Sequence, residues 1–250
     1  MSRQAQAALL FLVGGAMVHT GATSLYLRYV KTGLQPLLLA AGAVLIATAV
    51  ATAWYELRRP ATVGRQRYTG ETRDGHRVGD GHREPRISWL LVLPLFALIL
   101  AAPPALGSYD AMRTGTALQP PLAYPALPSG DPLKLTLVDY AGRAAYGHGR
   151  SLGNRKVEIT GFVALDRGGT PYLVRMVLNC CAADAQPVKI GMSGKLPPVL
   201  QPDSWLQVTG TYTGKRTKDP VGGGIIPFID VVEAKPVPAP EDPYDESWNQ

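Results

Sequence analysis

The chain has 250 residues, 25 Lys and Arg against 19 Asp and Glu, a formal net charge of +6 and a mean hydropathy of +0.02. That length suits one or two domains, and the near-zero hydropathy averages an apolar N-terminal half with a polar C-terminal half. Much of the positive excess sits in one loop, which argues for a membrane topology signal and lipid headgroup contact before nucleic-acid binding.

The stretches Gln4–Leu27, Thr32–Tyr55 and Ile87–Tyr109 carry no formal charge if His19 is neutral. About 20 apolar residues span a bilayer core. Residues 1–109 therefore predict three transmembrane helices, at about 7–27, 36–55 and 87–106, with a loop at 56–86. The first run is too long for the roughly 7–15 apolar residues of a signal peptide, and no small-x-small cleavage site follows it. A retained helical hairpin is expected. His19 lies within helix one. An ionisable group there is a functional candidate, with a simple hydrogen bond to helix two or a partner helix as the alternative. Gly14, Gly15 and Gly21 allow close helix approach.

Glu56–Arg86 holds Arg58, Arg59, Arg65, Arg67, Arg73, Arg77, Arg83 and Arg86. The positive-inside rule places this short loop and the N-terminus in the cytoplasm, and everything after helix three outside. The loop repeats Asp-Gly-His-Arg at Asp74–Arg77 and Asp80–Arg83. His76 and His82 fit no standard zinc spacing, so the repeat reads as solvated loop.

Residues 110–132, with Pro120, Pro121, Pro125, Pro128 and Pro132, predict a semi-rigid spacer. From 133 to 235 short β-branched or aromatic runs alternate with Gly, Pro, Asn and Asp: "KLTLVDY", "KVEITGFVAL", "PYLVRMVLNCC", "QPVKIGM", "SWLQVTGTYTG" and "IIPFIDVVEA". About five strands predict an all-β C-terminal domain, a small OB-like barrel. Residues 236–250 form a Pro-rich acidic tail that alone would be disordered.

The only two cysteines, Cys180 and Cys181, are adjacent, with Asp184 close by. Three readings stay open. A vicinal disulfide would be strained and reducible. A soft metal or metalloid ion at Cys180 and Cys181, with Asp184 as third ligand, requires the strand to break there, because neighbouring strand side chains point to opposite faces. A structural role would bury one thiol as a small hydrophobe. Arg175 either tunes a thiol or binds an anion, or is a solvent-facing strand residue. Trp205 and Phe162 read as barrel core.

Gly161–Phe162–Val163, Arg175 before the run Cys180–Ala185 (Cys-Cys-Ala-Ala-Asp-Ala), Trp205–Gly210 and Pro243–Tyr244 together resemble the YcgQ-like family of bacterial membrane proteins. The resemblance implies N-terminal hydrophobic helices, an extracytoplasmic β-domain and a role as one subunit of a two-component membrane permease complex. It marks Gly161, Arg175, Asn179, Cys180, Cys181, Asp184 and Trp205 as motif positions, and implies a multi-spanning permease partner within a plasma-membrane location. The DGHR repeat and the residues after Tyr244 fall outside the pattern. The residues themselves offer no Ser/His/Asp set, carboxylate pair or nucleotide-binding loop, so no enzyme is expected. His148 is the only histidine after the third helix. The expectation is a non-enzymatic accessory subunit that binds no nucleic acid. The alternative is a membrane-anchored external metal-binding or thiol-based sensor or chaperone.

Overall fold

The computed structural model describes residues 3–58 and 104–246. The arginine-rich loop with its Asp-Gly-His-Arg repeat, and nearly all of the third expected helix, lie outside the described residues. The described chain forms two units, residues 3–23 with 35–58, and residues 24–34 with 104–246.

The first unit is a helical hairpin of α1 (Arg3–Ala22) and α2 (Gln35–Arg58). Among the described residues these are two helices long and apolar enough to cross a membrane. Small residues set their approach. A Cβ on Gly14 would lie 2.9 Å from the Gly42 carbonyl oxygen, and one on Gly42 would lie 2.8 Å from Val18 Cγ2. The gain from such close packing is van der Waals contact, which needs no hydrophobic driving force. The Gln35 side-chain amide donates to the Gly21 carbonyl at 2.9 Å. His19 is exposed and faces away from this packing. At the end of α2, Arg58 lies 4.2 Å over the ring of Trp54.

The second unit is a closed five-stranded barrel of β2 (Val157–Leu165), β3 (Pro171–Leu178), β4 (Gln186–Gly194), β5 (Trp205–Lys218) and β6 (Ile225–Val237). The ring runs β2–β5–β6–β4–β3 and closes by β3 pairing with β2. Every pairing in the ring is antiparallel except β4 with β6. Closure leaves no unpaired edge in the ring. β1 (Leu133–Lys134) lies parallel on β2, and β7 (Tyr244–Glu246) lies parallel on β3.

Inward positions alternate along the strands, as their pleat requires. Val157, Ile159, Val163, Leu173, Ile190, Val208 and Ile229 fill the interior. The stretch "KLTLVDY", expected as a strand, instead contributes only β1 and then α4 (Leu137–Ala145). Two local signals decide this. Thr136 accepts the Asp139 N–H at 3.0 Å, a helix N-cap, and the following "YAGRAA" favours helix. The helix buries Leu137, Val138, Tyr140 and Ala141 against the barrel core. Gly161 makes room for it: a Cβ there would sit 2.8 Å from the Val174 oxygen and 3.0 Å from Leu137 Cδ1. Thr136→Ala should cost about 1 kcal/mol of domain stability. Thr136→Ser should restore most of it, measured as the midpoint of denaturant unfolding.

A second apolar layer lies outside the barrel, where Phe162, Ala164, Tyr172, Val174 and Met176 meet Ala111 and Tyr244. Phe162 and Trp205, expected in the barrel core, belong to this layer and pack edge to face with centroids 5.7 Å apart. They occupy outward positions, because Phe162 and Trp205 pair across β2 and β5 out of phase with inward Val163 and Leu206.

Residues 110–132 are not a free spacer. α3 (Ser108–Arg113) buries Ala111, Leu118 joins the barrel core, and the Ala117 N–H bonds the Pro187 carbonyl at 2.9 Å. Arg143, 2 % exposed, donates to Asp139, to Ser151 Oγ and to the Pro125 carbonyl, and lies 5.2 Å over the Tyr124 ring. Prolines restrict the stretch, and these contacts pin it. Residues 236–250 are likewise not a free tail as far as they are described, since β6 extends to Val237 and Tyr244–Glu246 is a strand.

Candidate metal centre

β3 ends at Leu178, and β4 begins at Gln186. Between them Ala182–Asp184 forms one 3₁₀ turn. This turn breaks the strand alternation that would otherwise separate neighbouring side chains. The two thiol sulfurs lie 3.7 Å apart, and Cys180 Sγ lies 3.0 Å from Asp184 Oδ2. The ligand atoms of Cys180, Cys181 and Asp184 all fall within 4.8 Å of one another. Cys180 is exposed, and Cys181 and Asp184 are half-buried. Both cysteines are free thiols.

Backbone N–H groups hold the carboxylate in place. Asp184 Oδ1 accepts the Asn179 N–H at 3.1 Å, and Oδ2 accepts the Cys180 N–H at 2.9 Å. Burial pushes the Asp184 carboxyl up, but the Cys180 thiol and the backbone N–H groups of Cys180, Asn179 and Cys181 outweigh it and hold the group below its ordinary value. In return, the hydrogen bond to Asp184, followed by that to Cys181, pushes the Cys180 thiol up to about 11. Cys180 is therefore a protonated thiol at neutral pH, and a poor nucleophile. A metal ion bound here would have to replace its proton.

The segment Ser24–Leu34 braces the turn from the other side. Val30 forms an antiparallel bridge with Cys181. The Lys31 N–H donates to the Cys180 carbonyl at 3.1 Å, and the Ala182 N–H donates to the Tyr29 carbonyl at 2.8 Å. The Tyr244 hydroxyl donates to the Arg28 carbonyl and accepts from the Leu106 N–H, both at 3.2 Å. Three distant stretches thus meet beside the cysteines.

Arg175 does not reach the thiols. Its Nε and Nη2 bond Asp245 Oδ1 at 2.9 and 2.8 Å, Nη2 reaches the Tyr244 carbonyl at 3.2 Å, and the guanidinium lies 5.0 Å over the Trp205 ring. Arg175 and Trp205 fasten β7 to β3. The fit is imperfect, because Arg175 Nη1 and Asp245 Oδ2 are buried without hydrogen-bond partners among the described residues. Arg175→Lys removes the planar fork and the stacking. It should speed cleavage after Glu241 by a glutamate-specific protease; an unchanged rate would mean that the strand pairing alone holds β7.

Of the residues singled out in sequence, Cys180, Cys181, Asp184 and Asn179 come together. Arg175 and Trp205 form a neighbouring fastener, Gly161 is inside the barrel under α4, and His19 is on the hairpin. Sequence reasoning missed Tyr29–Lys31, because backbone bridging leaves no residue-type signature. It also missed the pair Lys189–Asp219, whose side chains are 1 % and 0 % exposed with N and O 2.8 Å apart.

The features define a class first: two helices fit to cross a membrane, a closed five-stranded barrel, and a thiol–carboxylate turn at one strand junction. Residues 143–245 match the family model of the DUF1980 C-terminal domain. That range holds the whole barrel and the cysteine turn, but not α1, α2 or the Tyr29–Lys31 brace. No curated protein matches the chain, and no solved structure matches it.

Proposed function

We propose that this chain is a non-enzymatic, membrane-anchored subunit that captures a thiophilic metal ion outside the membrane, beside a separate multi-spanning permease. The observation that carries the reading is the convergence of two sulfurs and one carboxylate on an accessible turn whose carboxylate is fixed by backbone N–H groups. Thiolate-rich sets select soft and borderline ions. α1 and α2 anchor the domain. The arginine-rich loop at 56–86 favours a cytoplasmic N-terminus and an external barrel. Numbered along the chain, the five barrel strands follow the cyclic order 1-2-3-5-4, with the third and fifth parallel. This order supports an OB-like barrel.

The permease partner rests on the YcgQ-like resemblance, with which the DUF1980 match is compatible. Small residues along the hairpin suit docking to further helices. No step of catalysis is assigned. His148, the only histidine of the barrel unit, sits at a turn with φ 51°.

Purification of the full-length protein from its native membrane in mild detergent tests both halves of the reading. A near-stoichiometric multi-spanning protein, and bound metal that disappears in Cys180→Ala, are expected. A folded preparation without such a partner overturns the permease half. Equal metal content in the native protein and the variant overturns the capture half.

A further inference from the structure

Resting on the capture reading, we infer that the ion is a tetrahedral divalent cation of the zinc class, and that its fourth coordination position is left to an exchangeable ligand. Three observations lead there. The first is the spacing of the sulfurs. Two thiolates on one tetrahedral zinc, each about 2.3 Å from the metal, lie about 3.8 Å apart. Cys180 and Cys181 lie 3.7 Å apart. A two-coordinate linear ion would set them roughly 4.6 Å apart at the same bond length. The turn would have to open to reach that.

The second is the donor set. Two sulfurs and a carboxylate oxygen mix soft and hard ligands. Calcium and magnesium take oxygen ligands, and copper(I) favours soft thiolates and thioethers; zinc accepts both sulfur and carboxylate. The charges agree. Two thiolates and one carboxylate sum to three negative charges, which a divalent ion neutralises further than a monovalent one. Asp184 is bound by the Asn179 and Cys180 N–H groups, so it presents an oriented oxygen and does not swing away.

The third is the ligand count. A structural zinc site is closed by four protein ligands, whereas a working site holds three and leaves one position open. Among the described residues this cluster offers three. The Lys31 and Tyr29 backbone bonds also hold Cys180 and Ala182 from outside. A centre braced in this way that leaves one position free suits loading and release.

The test uses the full-length protein in detergent, with cobalt(II), zinc(II) and copper(I) as probes. Cobalt(II) should give the intense visible bands of tetrahedral coordination with sulfur-to-metal charge transfer. One equivalent of zinc(II) should bleach them. Added imidazole or a small thiol should shift the bands as it enters the fourth position. Cys181→Ser and Asp184→Asn should each weaken cobalt binding at least about tenfold. Copper(I) uptake without cobalt or zinc uptake overturns the zinc-class assignment and leaves the capture reading standing. Bands indifferent to imidazole and thiol overturn the open position. No uptake of any of the three ions by a folded preparation overturns the capture reading itself.

Discussion

Asp219→Asn should destabilise the barrel unit by about 3–5 kcal/mol, the usual result of stripping one partner from a buried ion pair. The Lys189 ammonium would stay buried against an amide. Among the described residues Lys189 Nζ has one other bond, to the Thr114 carbonyl at 2.7 Å, and that group carries no charge to replace the lost one. Asp219 also accepts the Thr116 N–H at 2.8 Å and the Val221 N–H at 2.9 Å, so the substitution loosens the stretch after α3 and the β5–β6 connection together. The double variant Lys189→Met/Asp219→Leu removes both charges and should recover part of the loss, because a buried pair is often replaceable by apolar groups. The read-out is the unfolding midpoint by circular dichroism. A single variant as stable as the native protein would show that water reaches the pair.

The same carboxylate sets an acid limit. Burial raises its affinity for a proton, but Lys189 and the two N–H groups outweigh burial and hold Asp219 below its ordinary value of 3.8. The unfolded chain therefore binds this proton more readily than the folded one. The stabilisation is complete above the ordinary value and fades as pH falls through the lower, folded one. Stability of the native barrel should drop below about pH 4, and Asp219→Asn should flatten that part of the profile.

The second large effect concerns the metal turn. On the capture proposal, Cys180→Ala and Cys181→Ala each remove one of three proposed ligands. Losing an outer-shell partner costs 10–100-fold in metal affinity, so losing a ligand should cost more than about 100-fold. Lys31→Pro tests the brace without touching a ligand. It deletes the N–H that bonds the Cys180 carbonyl, and about a tenfold loss is expected on the same outer-shell scale. Equilibrium dialysis against zinc(II) measures all three. If Lys31→Pro binds as tightly as the native protein, the turn is stiff on its own. If Cys181→Ala does, only one thiol ligates.

Much of this architecture is visible in the residue pattern. Uncharged runs announce α1 and α2, and the alternation through Val157, Ile159 and Val163 announces β2. The cysteine turn is legible because its candidate ligands, Cys180, Cys181 and Asp184, lie close together in sequence. What escapes is long-range pairing. "KLTLVDY" has strand composition, yet the Thr136 cap and the amphipathic face of Leu137–Ala145 make it helix once the barrel offers an apolar mouth. Pro-rich 110–132 and the acidic tail look unattached because their partners, Lys189, Arg143 and Arg175, are far away in sequence. A strand arginine or lysine reads as solvent-facing until its carboxylate is found.

The hydroxyl of Tyr244 and the carbonyl of Arg28 that it holds are 216 residues apart in sequence. As the chain is synthesised, the brace is made long before the strand that secures it. Until the turn between β3 and β4 has been made, Tyr29–Lys31 has no Cys180 or Ala182 to pair with. The site is thus finished only once β7 has joined β3. Non-local pairings of this kind form slowly. A chain released before Tyr244 could form the barrel ring and still present a loosely held cysteine turn, so the order of assembly itself delays the appearance of a competent site until the domain is whole.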